Sequence, residues 1–304
     1  MTEKPSASRS ADSGPLIDVD ELERSLRDPD VPTPTLLDVR WSLGTPSDES
    51  YEQYLTAHVP GAVFVDLTTA LSGPAREDGS GGRHPMPDAE RFQAAMRRLG
   101  VSEDHPVVVY DAGPGLAAAR AWWMLGHFGA DDVRVLDGGL AAWQGAGSAV
   151  ESGEHSPTPG DFTAEAGGRP SVTAQDIARR LSDSSSAEAA GTVLIDARPH
   201  ERFIGRDESV DPVAGHIPGA VNLPALDLID DGGGLLSGDE VVAAFSERGA
   251  HPSTPPTVSC GSGVQACHLA LAWEAAHPEA PPAAVYIGSW SDWISAGDRP
   301  VARG

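Results

Sequence analysis

The amino-acid sequence predicts an α/β fold that occurs twice along the chain, each copy a mostly parallel sheet with helices on both faces. Two observations predict this fold. Short apolar runs alternate with helical patterns, and the same motifs recur in the same order in both halves. Strands that read as continuous apolar runs between helices are typical of parallel sheets covered on both faces. The length of 304 residues is compatible with two domains.

The repeat rests on four ordered pairs of matching segments: 36–40 with 194–198, 57–63 with 215–221, 107–111 with 257–260, and 136–143 with 286–293. The first two pairs are 158 residues apart, and the last two are 149 and 150 apart. The offset falls because the first copy has a longer loop, from about Leu71 to Pro87. Ordered matches with a slowly changing offset indicate a duplication.

Apolar periodicity places individual elements within each copy. Val107–Tyr110 and Val133–Leu136 have the pattern of buried strands. Ala89–Leu99 and Leu116–Phe128 have helical patterns, and the second is apolar on most faces, which predicts a buried helix. Ligands of such folds bind beyond the carboxyl ends of the strands, so the strand-to-helix turns are where chemistry is expected.

Composition shifts divide the chain. We expect a polar, disordered tail at 1–14, a first domain at 15–146, a linker at 147–170 and a second domain at 171–304. The linker region is rich in Gly, Ser, Pro and Glu and lacks apolar periodicity. A second polar run, 182–191, predicts a loop inside the second copy.

The formal net charge of −24 disfavours nucleic acid and anionic membranes as partners, because both require a basic surface. No apolar run approaches the roughly 18 residues of a membrane helix, and the N-terminal segment lacks the apolar stretch of a signal peptide. We therefore expect a cytoplasmic protein. An anionic substrate would need a locally basic site.

The two cysteines, Cys260 and Cys267, are expected to be unbridged. Seven residues along a helix rise about 10 Å, whereas a disulfide needs Cα atoms within about 7 Å. Two unpaired cysteines fit a reducing compartment and make no zinc site of familiar spacing, so no metal is expected.

Cys260 stands at a turn that predicts a reactive thiol. A short strand ends there, Gly261 and Gly263 follow, and a helix then runs to about Ala276. Glycines let main-chain amides turn inward, and with the helix N-terminus they form an anion-binding nest. A thiolate or a persulfide would be stabilised in that nest. The first copy has Asp111 at the matching place, and a carboxylate cannot carry sulfane sulfur.

These residues resemble a tandem-domain rhodanese, a sulfurtransferase with an inactive first domain and a catalytic second one. The resemblance extends from about Leu36 to Trp293 and rests on two Asp-x-Arg strand ends, two His-hydrophobic-Pro-Gly turns and the run 120–125. Thiosulfate sulfurtransferases of the family typically carry basic residues after the cysteine. Here the loop is Cys-Gly-Ser-Gly-Val, which is typical of 3-mercaptopyruvate sulfurtransferases.

The resemblance implies a mechanism without metal or organic cofactor. The Cys260 thiolate would take sulfur from 3-mercaptopyruvate, release pyruvate, and pass the sulfur to a thiol, a thioredoxin-like protein or cyanide. Arg202 matches the arginine that binds the donor carboxylate, and Ser262 and His84 match residues that assist proton transfer. The resemblance also places loop residues at the substrate: Gly261, Gly263, Val264 and Gln265.

Three positions depart from the family pattern. Thr68 stands where the third proton-relay residue, an acid, is usual. Asp211 stands where a second substrate arginine is usual, and Arg206 is a candidate to replace it. Gln265 stands where Thr usually follows Gly-Val. Trp41, just after the first Asp-x-Arg strand end, is expected to face the cleft between the domains.

Three alternative interpretations of the function remain open. Thiosulfate could be the donor. A non-catalytic binding module could have kept the fold, because fold alone does not establish function. A cysteine phosphatase or arsenate reductase would need an arginine at the far end of the loop, whereas residues 264–267 are Val, Gln, Ala and Cys.

Overall fold

The computed structural model of the protein describes residues 14–182 and 192–304. The predicted tail, apart from Gly14, and the predicted loop at 182–191, apart from Ser182, lie outside the described residues. The strands form two parallel sheets, one in each half of the chain.

The first sheet has the strand order β1-β5-β4-β2-β3. Its strands are β1 (Leu16–Ile17), β2 (Thr35–Asp38), β3 (Val63–Phe64), β4 (Val107–Tyr110) and β5 (Val133–Leu136). The helices of this half are α1 (Val19–Arg27), α2 (Ser47–Thr56), α3 (Leu67–Ala70), α4 (Ala89–Arg98), α5 (Leu116–His127) and α6 (Gly139–Gly145). The two strands and two helices predicted here are confirmed, each helix ending one residue earlier than expected.

The second sheet has the order β7-β6-β8-β9. Its strands are β6 (Leu194–Asp196), β7 (Val221–Asn222), β8 (Thr257–Ser259) and β9 (Ala284–Val285). The α-helices are α7 (Ala174–Ser182), α8 (His200–Phe203), α9 (Gly238–Glu247), α10 (Val264–Ala276) and α11 (Ser289–Trp293), and short 3₁₀ turns cover Ala225–Leu228 and Ile294–Ala296.

Each sheet is buried on both faces, as predicted. Successive strand residues point to opposite faces. In the first sheet, Leu37 and Val109 pack in one apolar cluster with α4 and α5, whereas Leu36 and Val108 pack in a second cluster with α1 and α6. This alternation explains why the strands read as continuous apolar runs.

The two halves are joined by a shared apolar core. Helices α5 and α10 pack directly against each other, and one buried cluster contains residues of both sheets. Both helices begin with a glycine in the left-handed conformation, Gly115 at φ 81° and Gly263 at φ 83°. The two strand-to-helix turns, at Asp111 and Cys260, therefore meet at the interface between the halves.

The segment 147–170 contains no helix in the described structure but is hydrogen-bonded to the first half. Glu151 pairs with His58 through two main-chain hydrogen bonds of 2.9 Å. Farther along, the Arg169 guanidinium lies 3.7 Å above the Trp122 ring and pairs with Glu274 of α10 at 2.5 Å. The segment thus crosses between the halves along a fixed path.

Candidate active site

Cys260 lies directly after β8, with its side chain in the turn that leads into α10. The residue is 2% exposed. Its Sγ accepts a hydrogen bond from the Gly263 N–H at 3.1 Å, and the Ser289 hydroxyl lies 3.9 Å from the same sulfur. The Cys260 N–H in turn donates to Ser289 Oγ at 3.0 Å. The Ser289 hydroxyl proton goes to the Tyr286 carbonyl oxygen at 2.7 Å, so the donor that holds the sulfur is the Gly263 amide. A sulfur that accepts a main-chain N–H is suited to carry negative charge.

The matching turn of the first half shows what such a nest holds. The Asp111 carboxylate accepts hydrogen bonds from four main-chain amides, those of Gly113 (2.9 Å), Gly115 (3.0 Å), Ala117 (2.9 Å) and Ala118 (3.3 Å). The amides of this nest are therefore filled by an anion that belongs to the chain itself. In the second half the same turn carries a sulfur in place of that carboxylate.

Gly261 and Gly263 lie close to different neighbours. Gly263 has φ 83°, and a Cβ there would lie 2.3 Å from the Ile287 carbonyl oxygen. Gly261 has no left-handed conformation, but a Cβ there would lie 2.8 Å from Arg83 Nη2. Gly261 thus leaves space for arginine side chains, and Gly263 allows the turn itself.

The turn opens into a cavity of about 560 Å³ between the two halves. Val264 and Gln265, the first residues of α10, line it together with Cys260 and Ser262. From the first half, Trp41 contributes to the wall, as expected from its position after β2. The loop residues singled out from the sequence therefore line one space, except Gly263, which shapes the turn behind it.

His84, in the long loop of the first half, does not line the cavity but contacts two residues that do, Ser262 and Trp41. Its Nδ1 lies 3.1 Å from the Ser262 hydroxyl, and its ring makes an edge contact with Trp41 at 5.4 Å between centroids. Burial, reinforced by the positive charges of Arg120 and Arg83, lowers the pKa of His84 to about 4. The imidazole is therefore neutral at neutral pH and can exchange a proton with Ser262.

Arg120 is a site residue that sequence reasoning did not assign. Its side chain, on α5, is fully buried and donates to three main-chain oxygens, those of Leu71 (3.0 Å), His84 (2.8 Å) and Ser262 (3.2 Å). Burial lowers the pKa of this guanidinium. Arg120 therefore ties the His84 loop to the cysteine loop across the interface. Its signal in the sequence was an arginine inside a helix otherwise apolar on most faces.

Arg202, on α8, also lines the cavity. Its Nε and Nη2 donate to the Glu208 carboxylate at distances of 2.9 to 3.2 Å, and Nη2 donates to Asp211 at 2.9 Å. The guanidinium is thus oriented by two carboxylates. Its partner Asp211 has a pKa raised by burial, an effect that Arg83 opposes.

Two other residues singled out from the sequence, Arg206 and Thr68, lie away from the cavity. Arg206, the candidate for a second substrate arginine, is exposed and is not part of the cavity wall. Arg83 lines the cavity instead and pairs with Asp211. Thr68 is exposed, and its hydroxyl donates to Asp66 at 2.7 Å. Neither Arg206 nor Thr68 belongs to the group of residues around Cys260.

Cys267 is a packed core residue on α10. It is fully buried, its Sγ lies 3.1 Å from the Gly263 carbonyl oxygen, and it forms no disulfide with Cys260. Burial raises the pKa of this thiol to about 12. Cys267 is therefore not a thiolate at neutral pH.

Within residues 14–182 and 192–304, no cluster of three or more His, Cys, Asp or Glu side chains could hold a metal ion. In the same part of the chain, no helix is long and apolar enough to cross a membrane.

The sequence model of the rhodanese-like domain matches the chain twice, at residues 18–146 and 173–296. The chain belongs to the rhodanese family. The expected fold of two rhodanese-like domains is thereby confirmed. The solved structure of a 3-mercaptopyruvate sulfurtransferase from Escherichia coli, described as having the rhodanese fold, agrees: its TM-score is 0.76 at 35% identity, over 91% of this chain and 99% of that one.

Relatives in the rhodanese family match this chain over almost its whole length. A putative thiosulfate sulfurtransferase of Mycobacterium tuberculosis is 42% identical over 275 residues, which is 89% of this chain and 91% of the relative. A probable 3-mercaptopyruvate sulfurtransferase of Pseudomonas aeruginosa is 41% identical over 299 residues, 96% of this chain and 99% of the relative. The expectation of a sulfurtransferase enzyme is confirmed by these relatives.

Proposed function

We propose that this rhodanese transfers sulfane sulfur from 3-mercaptopyruvate, with Cys260 as the nucleophile and a persulfide as the covalent intermediate. The second domain carries the chemistry, and the first, with Asp111 in the matching turn, supplies His84 and part of the cavity wall. The relatives from E. coli and P. aeruginosa named for 3-mercaptopyruvate support this donor.

In the first half-reaction the Cys260 thiolate attacks the sulfur of 3-mercaptopyruvate. A sulfur–sulfur bond forms, the carbon–sulfur bond breaks, and its electron pair remains on carbon as the enolate of pyruvate. That enolate must take up a proton to leave as pyruvate. The Ser262 hydroxyl, hydrogen-bonded to the neutral imidazole of His84 at 3.1 Å, is the proposed proton donor. The proton that the donor thiol releases as the persulfide ionises returns to Ser262 through His84, so the serine is restored.

The Ser262–His84 pair is the observation that favours 3-mercaptopyruvate over thiosulfate. Cleavage of thiosulfate breaks a sulfur–sulfur bond and releases sulfite, an anion that leaves without a proton on carbon. A buried hydroxyl that lies beside the nucleophile and is hydrogen-bonded to a neutral imidazole serves the cleavage of 3-mercaptopyruvate but not that of thiosulfate. The absence of a basic side chain in residues 261–265 of the sequence fits the same choice.

In the second half-reaction an acceptor attacks the outer sulfur of the Cys260 persulfide, and the thiolate is regenerated. We assign the acceptor role to a thiol or a thioredoxin-like protein, with cyanide as a substitute that yields thiocyanate. The amide of Gly263, which contacts Sγ at 3.1 Å, would stabilise the anion in both half-reactions. Two unbridged cysteines fit a reducing compartment, so the proposed location is the cytoplasm.

The donor is tested by steady-state kinetics with 3-mercaptopyruvate and thiosulfate in parallel, with cyanide as the common acceptor. We expect kcat/KM at least about 100-fold higher for 3-mercaptopyruvate, in line with the rate that general acid catalysis supplies. Ser262→Ala should remove most of this preference by lowering the mercaptopyruvate rate alone. A wild-type preference for thiosulfate, or equal losses for both donors in Ser262→Ala, would contradict the proposal.

A further inference from the structure

The peptide group between Ser262 and Gly263 joins the Cys260 sulfur to a buried cation. Its N–H, on Gly263, donates to Cys260 Sγ at 3.1 Å. Its carbonyl oxygen, on Ser262, accepts from Arg120 Nη1 at 3.2 Å. A Cβ at Gly263 would lie 2.9 Å from the same Nη1, so the guanidinium lies directly behind the turn. One peptide group therefore separates the positive charge of Arg120 from the sulfur.

Among the described residues, no carboxylate pairs with the Arg120 guanidinium. The side chain is fully buried, and its hydrogen-bond acceptors are main-chain oxygens. Burial lowers the pKa of the guanidinium, and the charges that oppose this effect are those of the Cys267 and Cys260 sulfurs. Since burial raises the pKa of Cys267 to about 12, that thiol stays protonated at neutral pH. An ionised Cys260 is therefore the anion that this buried cation can stabilise.

Three other arginines close to the Cys260 turn are paired with carboxylates. Arg83 pairs with Asp211, and both Arg202 and Arg198 pair with Glu208. Their charges are thereby largely compensated before any sulfur ionises. Other titratable groups around the turn are the neutral His84, the protonated Cys267 and, across the cavity, Asp111, whose carboxylate is held by four main-chain amides.

The first half contains the same arrangement with a neutral group in place of the cation. There the Gly115 N–H donates to the Asp111 carboxylate at 3.0 Å. The carbonyl of the same peptide, on Pro114, is hydrogen-bonded by His268 of α10, and burial lowers the pKa of His268 to about 4. His268 and Arg120 occupy equivalent places, each five positions after the left-handed glycine that precedes its helix. A cation thus lies behind the cysteine turn, and a neutral imidazole lies behind the carboxylate turn.

We propose that Arg120 is a positioning residue whose positive charge, acting through the Ser262–Gly263 peptide, stabilises the anionic sulfur of Cys260. A cation at the carbonyl polarises the peptide and makes its N–H a stronger donor. A carboxylate ionises at neutral pH without such help, whereas an ordinary thiol, with a pKa of about 8.5, does not. This difference accounts for the different groups behind the two turns. The role rests on the proposed function, since it acts on the thiolate that attacks the donor and on the persulfide that follows.

Alkylation of Cys260 by iodoacetamide as a function of pH tests this role without any sulfur donor. The rate follows the fraction of thiolate, and mass spectrometry of the labelled peptides separates Cys260 from the buried Cys267. Arg120→Gln keeps a hydrogen-bond donor but removes the charge. We expect its half-maximal rate at a pH about 1–2 units above that of wild type, the size expected for losing one charge at this separation in a protein interior.

Arg120→Lys separates the charge from the shape of the guanidinium. Lysine keeps the positive charge but loses the planar fork that reaches three main-chain oxygens. Its half-maximal rate should stay within about half a pH unit of wild type, even where the loosened turn changes the plateau rate. This variant tests the charge by itself if Arg120→Gln does not fold.

Arg97→Gln is the matched control. Arg97, on α4, also donates to main-chain oxygens, those of Asp161 and Phe162, but it is not part of the cavity wall in the described structure. Its loss should leave the pH of half-maximal alkylation unchanged. An unchanged pH in Arg120→Gln, or a shift of a full unit or more in Arg120→Lys, would overturn the role of the charge.

Failure of this role and failure of the proposed function give different results. If wild type takes up sulfur from 3-mercaptopyruvate but Arg120→Gln is alkylated with the wild-type pH dependence, only the role of Arg120 is wrong. If the alkylation shift is observed but neither 3-mercaptopyruvate nor thiosulfate adds sulfur to wild type, Arg120 stabilises the thiolate and the sulfurtransferase proposal fails.

Discussion

Two buried histidines at the domain interface should make the folded protein sensitive to mild acid. His84 packs against Trp41 and Ser262 of the cavity wall, and His268, on α10, hydrogen-bonds the Pro114 carbonyl of the first domain. Burial lowers the pKa of each to about 4, and His268 Nδ1 is buried without a partner among the described residues. At both sites the loss of hydration on burial outweighs the hydrogen bonds with Ser262 and Pro114 that favour the charged imidazole.

The sign and size of the effect follow from these values. Above pH 6.5 both histidines are neutral in the folded and the unfolded chain, so the shift has no effect there. As the pH falls from 6.5 towards 4, the unfolded chain binds protons that the folded protein excludes, and stability is lost. At pH 5 each histidine should lower the free energy of unfolding by about 2 kcal/mol.

Urea unfolding of His268→Gln at pH 7 and pH 5 measures this effect. Glutamine keeps an N–H for the Pro114 carbonyl but does not titrate. Between pH 7 and pH 5 the variant should lose about 2 kcal/mol less stability than wild type. Comparing the two proteins cancels the opposite contribution of carboxylates such as Asp38, whose pKa burial raises.

His251→Gln, which changes an exposed histidine, serves as the control and should behave as wild type. If His268→Gln loses as much stability as wild type between pH 7 and pH 5, burial of His268 is not the source of acid sensitivity.

Three further changes test the geometry around the two turns. Asp111→Asn should destabilise the protein by about 2–4 kcal/mol in urea unfolding, because an amide side chain cannot accept all four main-chain hydrogen bonds. Cys260 should still load sulfur in this variant. Unchanged stability would contradict the role of the Asp111 carboxylate in filling the nest. Gly263→Ala should abolish transferase activity, whereas Gly233→Ala, also at positive φ but in open space, should keep it; similar activities would contradict the steric argument. His84→Gln should lower kcat for 3-mercaptopyruvate about 100-fold with little change in KM, and a change in KM alone would contradict a proton-transfer role.

Local pattern was sufficient to predict the fold. The strand Val107–Tyr110 is buried on both faces, so its sequence is apolar throughout, and the following helix starts at a left-handed glycine. The repeated motifs recur because both copies need the same turn. Prediction of the loop at Cys260 succeeded for the same reason, since strand end, glycines and helix start are adjacent in sequence.

The missed parts of the site depend on contacts between distant segments. Arg83 lies in a loop of the first domain and reaches Asp211 of the second, 128 positions away. Position-by-position comparison with the family placed Asp211 at the second arginine position and left Arg206, which is exposed, as the candidate replacement. It could not show that Arg83 of the other domain lines the cavity. A basic residue next to His84, in a strongly acidic chain, was the available signal.

Arg120 illustrates the same limit. From the sequence it is an arginine in an apolar helix, and its partners are main-chain oxygens as far away as Ser262, 142 positions on. Main-chain acceptors leave no pattern in a sequence. Only the packing of α5 against α10 brings this guanidinium to the cysteine loop.

Cys260 is the proposed carrier of the transferred sulfur. Intact mass spectrometry of wild type and Cys260→Ser after incubation with 3-mercaptopyruvate alone would detect that sulfur. We predict that wild type gains the mass of one sulfur atom, about 32 Da, that the gain disappears when cyanide is added, and that Cys260→Ser gains nothing. Sulfur on Cys260→Ser, or no sulfur on wild type with either 3-mercaptopyruvate or thiosulfate, would contradict the account, and the second result would favour a non-catalytic binding module.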